Sequence, residues 1–426
     1  MSNKKGLIAL SPLLVFVVFY LVASVIARDF YKVPITVAFL VSSIYAVIVT
    51  GKGSIDQRVE TFCAGAGTPN VMFMLVIFIL SGAFVSTAKD MGCIDATVSL
   101  TLNLVPHDML LAGLFVASCF ISLSIGSSVG TIVAIVPIAT GVAEQTGDSV
   151  AFLAAAVVGG AFFGDNLSFI SDTTVMATRT QGCKMSEKFR ANIDIVMPAA
   201  LLVLVIYVLQ GKGTGHPTYM HAIDMWKVLP YLFVIATAVA GVNVMAVLTL
   251  GIAICATIGL LEGDCDIYTL MGAMGKGILD MSELIIASML ASGLLTMISQ
   301  AGGIDYITEK LTRRVHGKRG AELSIGALVV TVGACTANNT IAILTVGETS
   351  RQIAARYGIA PQKAASILDT FSCFVQGLLP YGAQLLVAAG LAEVNPISIL
   401  PHLYYPMMMG AFATLAILLR LPLKYS

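Results

Sequence analysis

Long apolar runs alternate with short polar segments along the whole chain. A helix needs about 20 apolar residues to cross a bilayer, and most of these runs approach that length. The pattern therefore predicts an all-α polytopic membrane protein, because helices satisfy their own backbone hydrogen bonds inside a bilayer. The runs lie at roughly 7–27, 34–50, 71–88, 110–146, 150–180 and 193–210, and then at 217–241, 244–261, 281–300, 323–348, 363–391 and 403–420.

The two sets of runs resemble each other at a nearly constant spacing, which predicts an internal duplication. Half the chain length separates the matching positions, so the predicted halves are residues 1–212 and 213–426. At this spacing Asp165 falls on Gln376 and Phe169 falls on Pro380. The matches join 81–82 to 292–293, 92–95 to 302–305 and 131–132 to 340–341, at offsets of 211, 210 and 209.

The charges of the connecting segments predict that the two halves are inverted relative to each other. Residues 51–69 include Lys52 and Arg58, whereas the equivalent loop 262–280 is acidic apart from Lys276. Positive loops stay in the cytoplasm, so these two loops are expected on opposite sides of the membrane, with both termini in the cytoplasm. Each half then has an odd number of crossings, and five transmembrane helices plus one element that enters and returns satisfy this count. This is an inverted-topology repeat.

The returning elements are predicted at 110–146 and 323–348, as re-entrant hairpins. Each has two apolar arms joined by a tip of small polar residues, 122–131 in the first half and 333–340 in the second. The first arms are too short to span comfortably, and two kinked spanning helices are the alternative. Hydroxyls, amides and helix ends at such tips can bind a substrate, although local packing is the alternative role. The candidate residues are Ser127, Ser128 and Thr131 in one tip, and Thr336, Asn338, Asn339 and Thr340 in the other.

A polar cluster ends the apolar run that follows each hairpin, where a broken helix is predicted. A carboxylate at the centre of a membrane helix costs about 2.5–3.5 kcal/mol, so the aspartates of the first cluster need compensation. Gly160 and Gly164 precede that cluster, and we expect them to let the backbone open, because opened backbone at this depth lines a cavity. The candidate ion- and proton-binding residues are Asp165, Asn166, Ser168, Ser171, Asp172 and Thr173, and those of the second broken helix are Gln376, Pro380 and Gln384.

This set of side chains favours a site for a cation and a proton. A hard cation such as Na⁺ prefers carboxylate, hydroxyl and carbonyl oxygens. A carboxyl group removed from water can also hold a proton near neutral pH, so one group can bind either species. We expect Na⁺ at Asp165 and Asp172. An ion pair with Arg179 is the alternative for Asp172, and Asp369 is a weaker candidate for a coupling role.

Composition excludes several other classes of protein. Of the 426 residues 57% are hydrophobic and 11% are charged, with a mean hydropathy of +0.91. Soluble domains have about 25% charged residues. The net charge is zero and no block of like charge indicates a nucleic-acid partner. The cysteines and histidines are scattered, so we expect no metal site, no cofactor and no enzymatic activity. The sequence contains no phosphate-binding loop motif, so we expect no ATP hydrolysis.

The segment GAFFGDNLSFISDTT (160–174) resembles the signature of the NhaC-type Na⁺/H⁺ antiporter family, close to GxxFGDxxSPxSDTT. The repeat and the paired hairpins are similar to the wider ion transporter superfamily. The resemblance implies a scaffold part and a mobile part that work as a homodimer through an elevator-like movement. It places the family's polar motif on Asp165, Ser168 and 171–174. The chain differs from the family pattern at Phe169, where the family has proline.

The function expected from the sequence is secondary active transport in the inner cell membrane. The first prediction is Na⁺/H⁺ antiport by alternating access, with the lipid bilayer, Na⁺ and H⁺ as partners. The alternative is a Na⁺- or H⁺-coupled symporter or exchanger of a small organic acid or amino acid. Such a substrate needs an anchor for its carboxylate, which Asn338, Asn339 and Gln376 could supply.

Overall fold

The chain is a polytopic all-helical membrane protein. A computed structural model describes residues 3–27, 33–50, 53–169, 171–211, 224–240, 242–263, 265–312 and 317–421, and every regular element in these ranges is a helix. Seven helical stretches in them are long and apolar enough to cross a membrane, or eight if the bent pair formed by 396–402 and 404–419 counts as one crossing. The predicted boundary between residues 212 and 213 lies outside the described residues.

Among the described residues, the first half of the chain has ten α-helices and the second half has eleven. The first half contains α1 (Asn3–Ala27), α2 (Ile35–Val49), α3 (Ile55–Ala66), α4 (Pro69–Asp90), α5 (Cys93–Leu104), α6 (Leu110–Ile125), α7 (Ser128–Thr146), α8 (Val150–Leu167), α9 (Asp172–Gln181) and α10 (Met185–Gly211). The second half contains α11 (Met225–Val239), α12 (Val244–Glu262), α13 (Ile267–Asp280), α14 (Ser282–Gln300), α15 (Gly303–Thr312), α16 (Gly317–Thr336), α17 (Asn339–Tyr357), α18 (Pro361–Leu378), α19 (Ala383–Leu391), α20 (Pro396–Ile399) and α21 (Tyr404–Leu419).

The helices of the second half follow in a similar order to those of the first, and two pairs have the same bounds at one constant offset. Helices α7 and α8 begin and end 211 residues before α17 and α18. Left-handed backbone recurs at the same spacing, with Gly126 and Ala337 at the hairpin tips and Gly147 and Gly358 after the following helices. The sequence matched Thr131 to Thr340, at an offset of 209, and this match is wrong. At the constant offset of 211 Thr131 is equivalent to Ala342.

Two segments that the sequence analysis treated as loops contain helices. Residues 51–69 include α3, and 262–280 include α13. Both helices are amphipathic, with polar and charged side chains on one side, so they form no continuous apolar run. Ser54 and Asp266 cap their first turns by accepting hydrogen bonds from Gln57 N and Thr269 N. Helix α3 packs on α14, and α13 packs on α4.

Each broken helix is interrupted by a short extended segment. The first break lies between α8 and α9, where Ser168 and Ser171 have extended backbone angles. The second break lies between α18 and α19, at residues 379–382. Phe169 lies in the first break at the position of the family's proline, and its ring stacks on Phe189 at 4.9 Å. The helix therefore opens here without a proline.

The two glycines expected to open the first broken helix have a different role. Gly160 and Gly164 lie inside α8, where they allow α6 to approach closely. A Cβ atom at Gly164 would lie well inside van der Waals contact of the Leu123 backbone nitrogen and the Ser122 side chain. The expectation that these glycines open the backbone is therefore wrong, because the break begins after them, at Ser168.

We expect Gly164→Ala to destabilise the protein by about 1–3 kcal/mol, because the backbone of α6 must shift to accept the methyl group. Thermal unfolding of the purified protein measures this change. Gly272→Ala is the matched control, since nothing lies within 4 Å of a Cβ atom at Gly272 in α13. A control that is unchanged or slightly more stable, with a clearly less stable Gly164→Ala variant, agrees with the close packing. Equal melting temperatures for the two variants would contradict it.

The helices form two groups that contact each other along one interface. The frame group comprises α1–α5 and α11–α15, and the hairpin group comprises α6–α10 and α16–α21. Inside the frame group, equivalent helices exchange partners between the halves: α3 packs on α14 as α13 packs on α4, and α5 packs on α11 as α15 packs on α1. Inside the hairpin group, α7 packs on α19 as α17 packs on α9, and α10 packs on α18 as α21 packs on α8. Each group is thus internally pseudo-symmetric.

Candidate functional site

A cavity of about 390 Å³, lined by both polar and apolar side chains, lies where the two helix groups meet. The hairpin group contributes both tips and both broken helices to its walls. The frame group contributes the start of α4, with Phe73, and the start of α12, with Val244. The predicted site residues that line the cavity are Ser127, Ser128, Asp165, Asp172, Thr173, Asn338, Asn339, Thr340, Gln376 and Gln384. The structure thus brings together residues that are more than 200 positions apart in the sequence.

Asp165 is a buried carboxylate in the cavity wall, with 5% of its surface exposed. It lies in the last turn of α8. Ser128, the first residue of α7 at the hairpin tip, donates a hydrogen bond of 2.8 Å to Asp165 Oδ2. Ser171, in the break, donates to Asp165 Oδ1, and its hydroxyl lies 2.9 Å from that of Thr173. Each carboxylate oxygen therefore accepts a hydrogen bond from a hydroxyl, which compensates for the hydrogen bonds to water that burial removes.

A chain of amides extends this hydrogen-bond network into the second half of the protein. Gln384 Nε2 donates to Ser128 Oγ at 3.1 Å, and Gln376 Nε2 donates to Gln384 Oε1 at 2.9 Å. Gln376 Nε2 also donates to the carbonyl of Ala337 at the second tip, at 3.0 Å. Both tips and both broken helices are therefore connected to Asp165 by hydrogen bonds between neighbouring side chains.

Asp172 differs from Asp165 because its side chain is exposed to the cavity. It is the first residue of α9, directly after the N-cap residue Ser171. A negative charge is favourable there, because the unpaired N–H groups of a helix start carry partial positive charge. The alternative of an ion pair with Arg179 is wrong, since no salt bridge to Asp172 forms within the part of the chain that the structure describes.

Six predicted site residues lie outside the cavity wall, and one of them is Ser171, which bonds to Asp165 from the break. Asn166 is fully buried and bonds to Asn192, whose Nδ2 donates to Asn166 Oδ1 at 2.6 Å. The hydroxyls of Ser168, Thr131 and Thr336 donate to backbone carbonyls, those of Leu123, Ser127 and Val332 respectively. Pro380 lies in the second break. The alternative of local side-chain-to-backbone bonding therefore describes these three hydroxyls.

A buried ion pair beside this site was not predicted from the sequence. Lys188 lies in the first turns of α10 with 1% of its side chain exposed, and it pairs with the fully buried Asp369. Asn192 follows Lys188 by four residues, on the same face of α10. On α18, Ser366 and Thr370 flank Asp369 and donate to Asn192 Oδ1 at 2.7 and 2.8 Å. The signal for this pair was the polar residues Ser366, Asp369 and Thr370, which lie within one turn of each other inside the apolar run 363–391.

The sequence is similar to those of known transport proteins. The sequence model of the Na⁺/H⁺ antiporter family matches residues 5–212 and 218–421. The chain is 24% identical over 375 residues to the Na⁺/H⁺ antiporter NhaC of Bacillus subtilis, covering 80% of this chain and 82% of that protein. It is 23% identical over 362 residues to the Na⁺/H⁺ antiporter NhaC of Alkalihalophilus pseudofirmus, covering 77% and 78%.

Two further similarities are more distant. The chain is 21% identical over 414 residues to the malate-2H⁺/Na⁺-lactate antiporter of Bacillus subtilis, covering 88% of this chain and 87% of that protein. A crystal structure of the YdaH transporter of Alcanivorax borkumensis aligns with a TM-score of 0.43 and 13% identity, covering 91% of this chain and 99% of that chain. The family match covers nearly the whole sequence, and we conclude that this chain belongs to the Na⁺/H⁺ antiporter family.

Proposed function

We propose that this protein exchanges Na⁺ for H⁺ across the inner cell membrane, with Asp165 and Asp172 as the groups that carry the charge. The observation that supports this most directly is the position of Asp165, a buried carboxylate that accepts two hydroxyl hydrogen bonds at the wall of the cavity. The names of the two NhaC relatives support Na⁺ and H⁺ as the transported ions.

The chemistry of the exchange follows from the groups around Asp165. With a proton on Asp165 its carboxyl group is neutral: its O–H donates to one of the two serine hydroxyls, and the other hydroxyl still donates to the remaining carboxyl oxygen. When Na⁺ enters, the carboxyl group releases this proton to water in the cavity, both hydroxyls donate to the carboxylate, and their lone pairs bind the ion. Asp172 and Thr173 offer further oxygens at the cavity surface. Because Na⁺ and H⁺ compete for the same oxygens, each releases the other.

The test is transport in proteoliposomes that contain a pH-sensitive dye. We expect added Na⁺ to dissipate a pH gradient with the wild-type protein and to have no effect with Asp165→Asn or Asp172→Asn, because an amide can neither ionise nor bind Na⁺ as strongly. Asp90→Asn, at the exposed end of α4, is the matched control and should transport like the wild type. A wild-type protein without Na⁺-dependent proton movement would sink the proposal.

A coupled carrier of a small organic anion or amino acid is the second candidate, and the size of the cavity favours it. A water molecule occupies about 30 Å³, so about 390 Å³ exceeds the needs of one Na⁺ ion. Asn338, Asn339 and Gln376 line the cavity and could hold a carboxylate. Proton movement that requires malate, lactate or an amino acid in addition to Na⁺ would support this candidate over simple exchange.

We also propose that the two halves form an inverted repeat and that the hairpin group moves against the frame group in an elevator-like manner. The support is a break in the pseudo-symmetry at the interface between the groups. There α7 packs on α5 and α11, and α16 packs on α14 and α15. The equivalents of α7, α5 and α11 in the other half are α17, α15 and α1, and among the described residues α17 makes no comparable contact with α15 or α1. Likewise α6, the equivalent of α16, makes no comparable contact with α4 or α5.

Such an asymmetry is expected if the hairpin group can take two equivalent positions relative to the frame group and the structure shows one of them. Moving the hairpin group to the other position would exchange its contacts for the equivalent ones in the opposite half. A second cavity, of about 500 Å³, includes Val33, the residue equivalent to Val244 of the first cavity. In an inverted repeat this second cavity faces the opposite side of the membrane, so the movement gives alternating access.

Homodimer formation and the cytoplasmic position of both termini complete the proposal. Residues 1–2 and 422–426 lie outside the described residues, so the support for the orientation is the distribution of basic residues in the sequence. Large exposed apolar side chains on α1, among them Leu14 and Val22, give this helix a face for lipid or for a second copy.

A further inference from the structure

An ammonium group of the protein itself lies among oxygens that are typical ligands of a small cation. Lys188 Nζ donates to the backbone carbonyl of Asn166, to the hydroxyl of Thr174 at 3.0 Å, and to the carboxylate of Asp369. The Lys188 and Asp369 side chains are 1% and 0% exposed. A carbonyl, a hydroxyl and a carboxylate are the oxygen types that bind hard cations in proteins.

These oxygens come from both sides of the first helix break. Asn166 lies in the last turn of α8, where backbone carbonyls have no partner inside the helix, and Thr174 lies in the first turn of α9. Asp369 comes from α18 in the other half of the chain. The ammonium thus joins the two pieces of the broken helix to α18, and Thr174 also donates to Asp369 Oδ2 at 3.1 Å.

We propose that Asn166, Thr174 and Asp369 form a second site for a monovalent cation, which Lys188 fills as a tethered cation. This site is separate from the transport cavity, because none of its four residues lines the cavity wall. The wild-type protein binds no Na⁺ there. A chain without the lysine side chain binds Na⁺ in its place, because the carboxylate of Asp369 is then buried without its counter-charge.

Two substitutions of Lys188 separate this proposal from a purely structural role. Lys188→Ala removes the ammonium and leaves its place open, whereas Lys188→Met removes the same charge and fills most of the space with an apolar chain. We expect Na⁺ to raise the melting temperature of the Lys188→Ala protein by about 3 °C more than that of the wild type, at Na⁺ concentrations about 100-fold above the dissociation constant. The Lys188→Met protein should show only the wild-type response.

The control for the ligand set is the double variant Lys188→Ala/Asp369→Asn, which keeps the open space without the carboxylate. It should lose the additional Na⁺ response, and a response as large as that of Lys188→Ala alone would overturn the proposal. Two other results would also overturn the proposal. One is a Lys188→Ala protein that responds to Na⁺ no more than the wild type, and the other is a Lys188→Ala protein that aggregates in Na⁺ while Lys188→Met is monodisperse. The comparison does not depend on Na⁺/H⁺ exchange, which the wild-type transport assay tests by itself.

Discussion

Cysteines at Val33 and Ile341 are expected to form a disulfide in the membrane, and the cross-linked protein is expected to transport nothing. In the structure Gly130 of α7 lies against Val244, with a Cβ atom at Gly130 placed 3.0 Å from Val244 Cγ2. Ile341 and Val33 are the equivalents of these two residues at the offset of 211. If the hairpin group moves to the equivalent position in the other half, Ile341 must come to lie against Val33 as Gly130 now lies against Val244.

The control pair is Gly130→Cys with Val244→Cys, which should cross-link in the state that the structure shows. Each disulfide holds the protein in one state, so transport should fall to background with either pair and return after reduction. The single-cysteine variants measure the background of cross-links to the free native cysteines, of which Cys335 lies closest in sequence to Ile341. If the control pair cross-links and the pair at Val33 and Ile341 remains at the single-cysteine level, the proposed movement is wrong.

Replacing Asp369 with leucine should cause the largest loss of stability among single substitutions near the site. Lys188 then remains as a buried ammonium without a counter-charge, and such a broken pair costs about 3–5 kcal/mol. For a chain of this size we expect the melting temperature to fall by about 3–6 °C. Thermal unfolding in detergent measures it.

The matched control removes both charges, in the double variant Lys188→Met/Asp369→Leu. Replacing a buried ion pair with apolar residues of similar volume is often neutral or stabilising, so this variant should recover most of the lost stability. A double variant as unstable as Asp369→Leu would show that the two side chains stabilise the fold through other contacts. The result also separates stability from transport, because both variants retain Asp165 and Asp172.

The sequence predicted the fold class well and individual helices less well. An apolar run can be recognised from its length and composition alone, so the membrane helices and the polar breaks could be predicted from the pattern of residues. The helices α3 and α13 were missed, because an amphipathic helix has no continuous apolar run. The role of Gly164 was also wrong, since its contact with Leu123 depends on a neighbouring helix that the local sequence does not specify.

The candidate site shows the same division between local and long-range information. The polar residues of the tips and breaks were recognisable because such side chains are rare inside apolar runs, and most of them line one cavity. Their partners were not predictable. Gln384 contacts Ser128 from 256 residues away, and Lys188 contacts Asp369 from 181 residues away. For the same reason, the spacing that suggested an Asp172–Arg179 pair was misleading.

The hydrogen-bond partners of Asp165 have a consequence for the energetics of exchange. Ser128, Ser171, Gln384 and Gln376 all belong to the hairpin group, so in the proposed movement they would travel together with the carboxylate. The ion would then meet the same ligands on either side of the membrane, and its affinity would be similar on both sides. An exchanger built in this way favours neither direction. It exchanges the ions in either direction, and the concentration gradients of the two ions decide which ion enters the cell.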